Sequence, residues 1–148
     1  MAQNTLKMEN CSALIIGGSA GSIEVLLNVL PGLNSFLDFP IVIVLHRKSG
    51  KDNILTDILS TKTQLRVKEL EEKEKIKPST IYLAPPNYHT LIEADQTFSL
   101  DASEKVNFSR PSIDVTFESA AEVFKNNLVC LTAFRSPNND GTETDSKK

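Results

Sequence analysis

Three side chains in this sequence have the types needed for acyl transfer: Ser19, His46 and Asp140. Ser19 is the centre of Gly17-Gly18-Ser19-Ala20-Gly21, a G-x-S-x-G between an apolar run and a helix-like stretch. That is the context of a nucleophile elbow, where glycines let the backbone turn sharply and expose a serine hydroxyl. The same pentapeptide also reads as a glycine-rich turn whose serine caps the next helix. A dinucleotide loop needs G-x-G-x-x-G and a Walker loop needs Gly-Lys-Ser/Thr, and neither is present. His46 directly follows the apolar run Ile41–Leu45 and is one of only two histidines, so the general-base shortlist is His46 and its rival His89. Asp140 lies in Asn138-Asn139-Asp140-Gly141, which reads either as an ordinary turn or as the acid that orients a histidine. The chain order Ser, His, Asp differs from the Ser, Asp, His order of α/β-hydrolases, but such triads recur on unrelated folds.

The elements around these residues must bring them together. Ala13–Ile16 and Ile41–Leu45 read as buried strands. Between them, Ile23, Leu26, Leu27 and Leu30 keep helical spacing over Ser22–Val29, and Pro31-Gly32 ends the helix. Asp52 or Asn53 is expected to cap a helix through Leu59, with Ile54, Leu55, Ile58 and Leu59 on one face. Leu65–Val67 reads as a third strand, and the charged run Lys68–Lys77 as a solvated segment. Ile81–Ala84 reads as a strand closed by Pro85-Pro86. Thr90–Ala94 and Thr97–Leu100 flank Asp95-Gln96 as an antiparallel hairpin. Ser112 is expected to cap a helix over Ile113–Phe124, and Leu128–Thr132 forms the last buried strand.

Strands alternating with helices predict an α/β fold: a doubly wound, mostly parallel sheet with helices on both faces and an antiparallel hairpin. Ligand sites in such sheets gather at the strands' carboxyl ends. The loops after the strands, Gly17–Ser22, His46–Gly50, Pro85–His89 and Ala133–Gly141, are therefore expected to converge on one edge. The domain is expected to occupy residues 13–133, after a flexible segment 1–12 and before a polar, structureless tail 134–148.

Composition narrows the function classes. The 148 residues suffice for one domain with a real core. The net charge is -3 at pH 7, with basic and acidic residues interleaved, which argues against nucleic-acid binding. Cys11 and Cys130 are far apart and fit no metal spacing, so no metal and no cofactor are expected, and a reducing compartment is the simplest reading. The N-terminal stretch lacks a signal-like apolar core, and no apolar run approaches the ~20 residues that span a bilayer. A cytoplasmic protein without membrane insertion is the expectation.

Several blocks appear in a familiar order: Ile15-Ile16-Gly17-Gly18-Ser19-Ala20-Gly21, Leu45-His46, Tyr82-Leu83-Ala84-Pro85, Phe108-Ser109-Arg110-Pro111-Ser112-Ile113-Asp114 and Leu131-Thr132. Together they resemble the catalytic domain of the chemotaxis protein-glutamate methylesterases, from about Leu14 to Gly141. The resemblance implies a cytoplasmic serine esterase in chemotaxis signal transduction. It would act on methyl-accepting chemoreceptors, hydrolysing glutamate γ-methyl esters and in many members deamidating glutamines. It implies Ser19 as nucleophile, His46 as general base and Asp140 as orienting acid. Ala20 and Arg110 become candidates for the oxyanion site and the substrate groove. Two other classes fit the same residues: a receptor-binding module with impaired catalysis, and a serine hydrolase of another small ester.

Three departures from the family pattern carry expectations of their own. Ala20 stands where threonine is common, which keeps the backbone N–H and loses a hydroxyl. The family loop L-T-G-M-G-x-D-G is here Leu131-Thr132-Ala133-Phe134-Arg135-Ser136-Pro137-Asn138-Asn139-Asp140-Gly141, with two glycines replaced, three residues added and a donor removed at Pro137. Losing one oxyanion donor typically costs about 10²–10³ in rate. The family domain continues through a further strand and helix, and its full-length members usually carry an N-terminal receiver domain that links them to the phosphorelay. Both lie outside this sequence, so a C-terminally truncated or altered domain without phosphorylation gating is expected.

Overall fold

The computed structural model describes residues 11–46, 53–103, 111–135 and 142–147. Five strands form a parallel sheet: β1 Ala13–Ser19, β2 Ile41–His46, β3 Arg66–Glu69, β4 Thr80–Leu83 and β7 Leu128–Arg135. A sixth strand, β8 Thr142–Lys147, pairs antiparallel with β7, giving the order β3-β4-β2-β1-β7-β8. A separate antiparallel pair joins β5 His89–Ile92 to β6 Phe98–Asp101. The helices are α1 Ile23–Val29, α2 Asn53–Ser60 and α3 Ile113–Phe124.

The sheet is apolar on both faces, as a covered parallel sheet must be. Ile41 to Leu45 of β2 are all 1% exposed or less. Leu14, Ile41, Ile43, Leu45, Ile81 and Leu83 pack on one face with Leu26, Leu30 and Leu59 from the α1 and α2 side. Ala13, Ile15, Val42, Val44, Tyr82 and Cys130 pack on the other with Ile113, Ala120 and Phe124 of α3 and with Ile92 and Phe98 of the hairpin. The strand period of two sorts these sets.

The amphipathic reading of α2 is corrected. Leu59 is fully buried and Leu55 partly so, but Ile54 is 60% exposed and Ile58 41% exposed. An eight-residue helix lying over a sheet edge buries a narrow stripe, which cannot take four apolar side chains. Leu59→Ala is therefore expected to cost about 2–5 kcal/mol and Ile58→Ser less than about 0.5 kcal/mol, as read by denaturant unfolding.

The charged run is also more than a solvated segment. Leu70 and Ile76 are buried, and Lys68 pairs with Glu74. The Tyr82 hydroxyl accepts from the Lys77 N–H at 2.9 Å, while its ring meets Phe98 edge-on with centroids 4.9 Å apart. The run straps the hairpin to the sheet. At the other end, the sheet extends past residue 133. β7 continues to Arg135, and β8 occupies part of the tail that composition marks as structureless. Main-chain pairing needs no apolar side chains, so composition gave no sign of it.

The free edge of β5 is satisfied by α3. The Thr116 hydroxyl donates to the Thr90 carbonyl at 2.7 Å, and the Ile92 N–H donates to Ser119 Oγ at 3.0 Å. The Ser112 N–H donates to His89 Nδ1 at 3.1 Å. Residues 112, 116 and 119 share one helix face, so three hydrogen bonds run down a single seam.

Candidate active site

β1 leaves the sheet centre with β2 on one side and β7 on the other. Its connection through α1 runs to β2, whereas β7 is reached through α3 on the opposite face. The strand order therefore diverges at β1, and a doubly wound sheet opens a crevice at the carboxyl end of such a point.

Ser19 is the last residue of β1 and His46 the last of β2. The two are direct register partners, following Gly17↔Val44 and Gly18↔Leu45. Neighbouring strands lie about 4.8 Å apart, and in-register residues of a parallel pair point to the same face. Counting from Ile15 and Val44, that is the face covered by α3. Both residues are partly buried. His46 Nε2 is buried and has no hydrogen-bond partner among the described residues. A buried imidazole nitrogen without a partner is costly in a purely structural role, and it is the atom a general base needs.

Close packing beneath the pair explains why glycine precedes the serine. A Cβ on Gly17 would stand 2.5 Å from Ile113 Cγ2. Only a bare backbone lets the start of α3 approach β1 this closely. After Ser19 the chain turns through a 3₁₀ segment, Ala20–Ser22, into α1. Ser22, not Ser19, stands at the N-cap of α1, and it makes no side-chain cap bond.

The remaining sequence candidates separate. His89, the rival base, is buried at the hairpin rather than at the strand ends beside Ser19. It begins β5, is 1% exposed and accepts from the Ser112 N–H. Ser112 is the N-cap of α3, as expected, but its backbone rather than its hydroxyl makes the bond seen there. Asp140 and Arg110 lie outside the described residues, and of Ala20 only the backbone course is described. The thiols are poor rivals to Ser19: burial raises Cys11 above its ordinary value and pushes Cys130 up to about 11. Both cysteines are free. Among the described residues no group of three potential metal ligands gathers, and no helix is long and apolar enough to cross a membrane.

Sequence reasoning missed the seam between α3 and β5. Its signal was Ser112, Thr116 and Ser119 at helical spacing within an otherwise apolar stripe.

Comparison with known proteins agrees with this architecture. The family model described as CheB methylesterase matches residues 14–144. A Leptospira interrogans protein named "Putative protein-glutamate methylesterase/protein-glutamine glutaminase" is 46% identical over 134 residues, covering 90% of this chain and 69% of that protein. A Thermotoga maritima protein-glutamate methylesterase/protein-glutamine glutaminase is 35% identical over 121 residues, 80% of this chain and 35% of its own length. The crystal structure of the Thermotoga maritima CheB methylesterase catalytic domain superposes with a TM-score of 0.77 at 34% identity, covering 81% of this chain and 65% of that domain. Relatives with these names are hydrolases. The central sheet, the crevice at β1 and the matched span of residues 14–144 together show that this chain belongs to the CheB methylesterase family.

Proposed function

We propose that this chain hydrolyses glutamate γ-methyl esters on methyl-accepting chemoreceptors, with Ser19 as nucleophile, His46 as general base and Asp140 as the acid that orients His46. The observation that carries the reading is the register pairing of Ser19 with His46 at the carboxyl edge, with Nε2 of His46 unpartnered among the described residues. The relatives' names, protein-glutamate methylesterase/protein-glutamine glutaminase, support the substrate class.

The chemistry follows from these atoms. Ser19 Oγ attacks the ester carbonyl carbon while its proton passes to His46 Nε2. The tetrahedral oxyanion collapses, the bond to the methoxy oxygen breaks, and that oxygen leaves as methanol with the proton from His46. Water then attacks the acyl-serine, giving its proton to His46, and glutamate leaves as Ser19 regains its hydrogen. A glutamine side chain enters the same sequence with ammonia as the leaving group. Asp140, holding the Nδ1–H of His46, stabilises the imidazolium. The Ala20 N–H is the oxyanion donor in this reading, and Arg110 is its substrate-groove residue, in an electrostatic or a structural role.

Methanol release from methylated receptor tests the proposal. Wild-type chain is expected to release methanol, Ser19→Ala to release none above background, and Asp140→Ala to fall by about 10⁴-fold, the size of effect reported for neutralising a triad aspartate. Unchanged release with Asp140→Ala would keep the esterase and remove Asp140 from it. No release from a folded chain that still captures receptor would leave a receptor-binding module.

A further inference from the structure

We infer that His89 is a positioning residue of the active site: its Nδ1 fixes the start of α3 against β1 and thereby shapes the wall beneath Ser19 and His46. This rests on the Ser19–His46 reading above.

His89 and Ser112 are both buried, and the Ser112 N–H donates to His89 Nδ1 at 3.1 Å. An imidazole that accepts at Nδ1 is neutral with its proton on Nε2. Ser112 is the N-cap of α3, and the next residue, Ile113, rests on Gly17 at a distance that excludes a Cβ. Gly17 precedes Ser19 by two residues on the same strand face, and its register partner Val44 precedes His46 by two. The chain His89, Ser112, Ile113, Gly17 is thus a continuous packed path that ends directly under the reacting pair.

The other two seam bonds lie farther along α3, at Thr116 and Ser119. They hold the body of the helix, while His89 holds its N-cap. Without the Nδ1 acceptor, the buried Ser112 N–H loses its partner, and the first turn of α3 moves to find another. A shift of about 1 Å at a catalytic pair can cost about 10²-fold in rate. Residues that act through such a shift lower kcat while leaving KM nearly unchanged.

Three substitutions separate positioning from bulk stability. In His89→Asn the amide oxygen stands near the place of Nδ1 and can accept from Ser112. In His89→Gln the oxygen stands near the place of Nε2, and His89→Leu has no acceptor. Each variant is read by kcat and KM for methanol release, by the rate at which a fluorophosphonate labels Ser19, and by thermal unfolding. Labelling, in which Ser19 Oγ bonds to phosphorus and fluoride leaves, needs the serine and its base but no receptor. The expected result is His89→Asn within about 3-fold of wild type in kcat, with His89→Gln and His89→Leu reduced by about 10²-fold in kcat and in labelling at nearly unchanged KM. The proposal is overturned if all three variants keep wild-type rates, or if all three fall together in proportion to lost stability. A wild-type chain that labels but releases no methanol defeats the methylesterase reading alone, and the labelling rates still decide the role of His89. A folded wild-type chain that does neither defeats both.

Discussion

Ser19→Ala lowers methanol release by about 10⁴-fold or more, and adding His46→Ala to it lowers release little further. Groups that act as one unit show this non-additivity, because once either is lost the other has nothing left to activate. The structure places the two for such a unit. They are adjacent strand-end residues in direct register, and the buried Nε2 of His46 has no competing partner among the described residues. Ser19→Ala should leave the fold intact, since Ser19 is only partly buried and alanine is tolerated at a strand end; thermal unfolding should move by no more than about 0.5 kcal/mol. Steady-state methanol release from methylated receptor, run on both single variants and the double, checks the expectation. Losses that simply multiply would mean that Ser19 and His46 act separately. Near-wild-type release from Ser19→Ala would place the nucleophile elsewhere.

The second large effect is steric. Gly17→Ala places a methyl group 2.5 Å from Ile113 Cγ2, 3.0 Å from Cγ1 and 3.1 Å from Cδ1. Gly17 is buried in the middle of the sheet, paired with Val44 on one side and Thr132 on the other, so β1 cannot slide away. The start of α3 must move instead, or Ile113 must leave its rotamer. Overpacking of this kind costs about 1–3 kcal/mol. Activity should fall by more than the loss of folded protein explains, since the displaced wall lies beneath the Ser19–His46 pair. Ile113→Ala by itself leaves a void and costs about 2–5 kcal/mol. The double variant Gly17→Ala/Ile113→Ala should recover part of the loss, because the new methyl group occupies space that the isoleucine vacated. A coupling of about 1–2 kcal/mol from a double-mutant cycle is the expected sign. Strictly additive losses would show that Gly17 and Ile113 do not share that space.

Much of this molecule could be read before it was folded. β2 announces itself in the β-branched run Ile41–Leu45, and α3 in the apolar spacing of Ile113 to Phe124, whose limits agree with the structure. The hairpin follows from its turn, where Gln96 takes a positive φ of 62°. These features depend on local periodicity and turn chemistry, which a sequence displays directly. The identities of Ser19 and His46 as candidates were also legible, because the residues expected to stand at strand ends could be named from the apolar runs before them.

Tertiary structure decided the rest. Register is a property of two strands together, so only the paired sheet sets Ser19 opposite His46. The same holds for β7 lying beside β1, which opens the crevice. His89 looked like a second candidate base until the hairpin folded against α3 and turned it into a buried acceptor. Ile54 and Ile58 looked like core until α2 settled with only one stripe inward. In each case the side chain's type was fixed by the sequence, but its role depended on which distant backbone came within hydrogen-bonding or packing range.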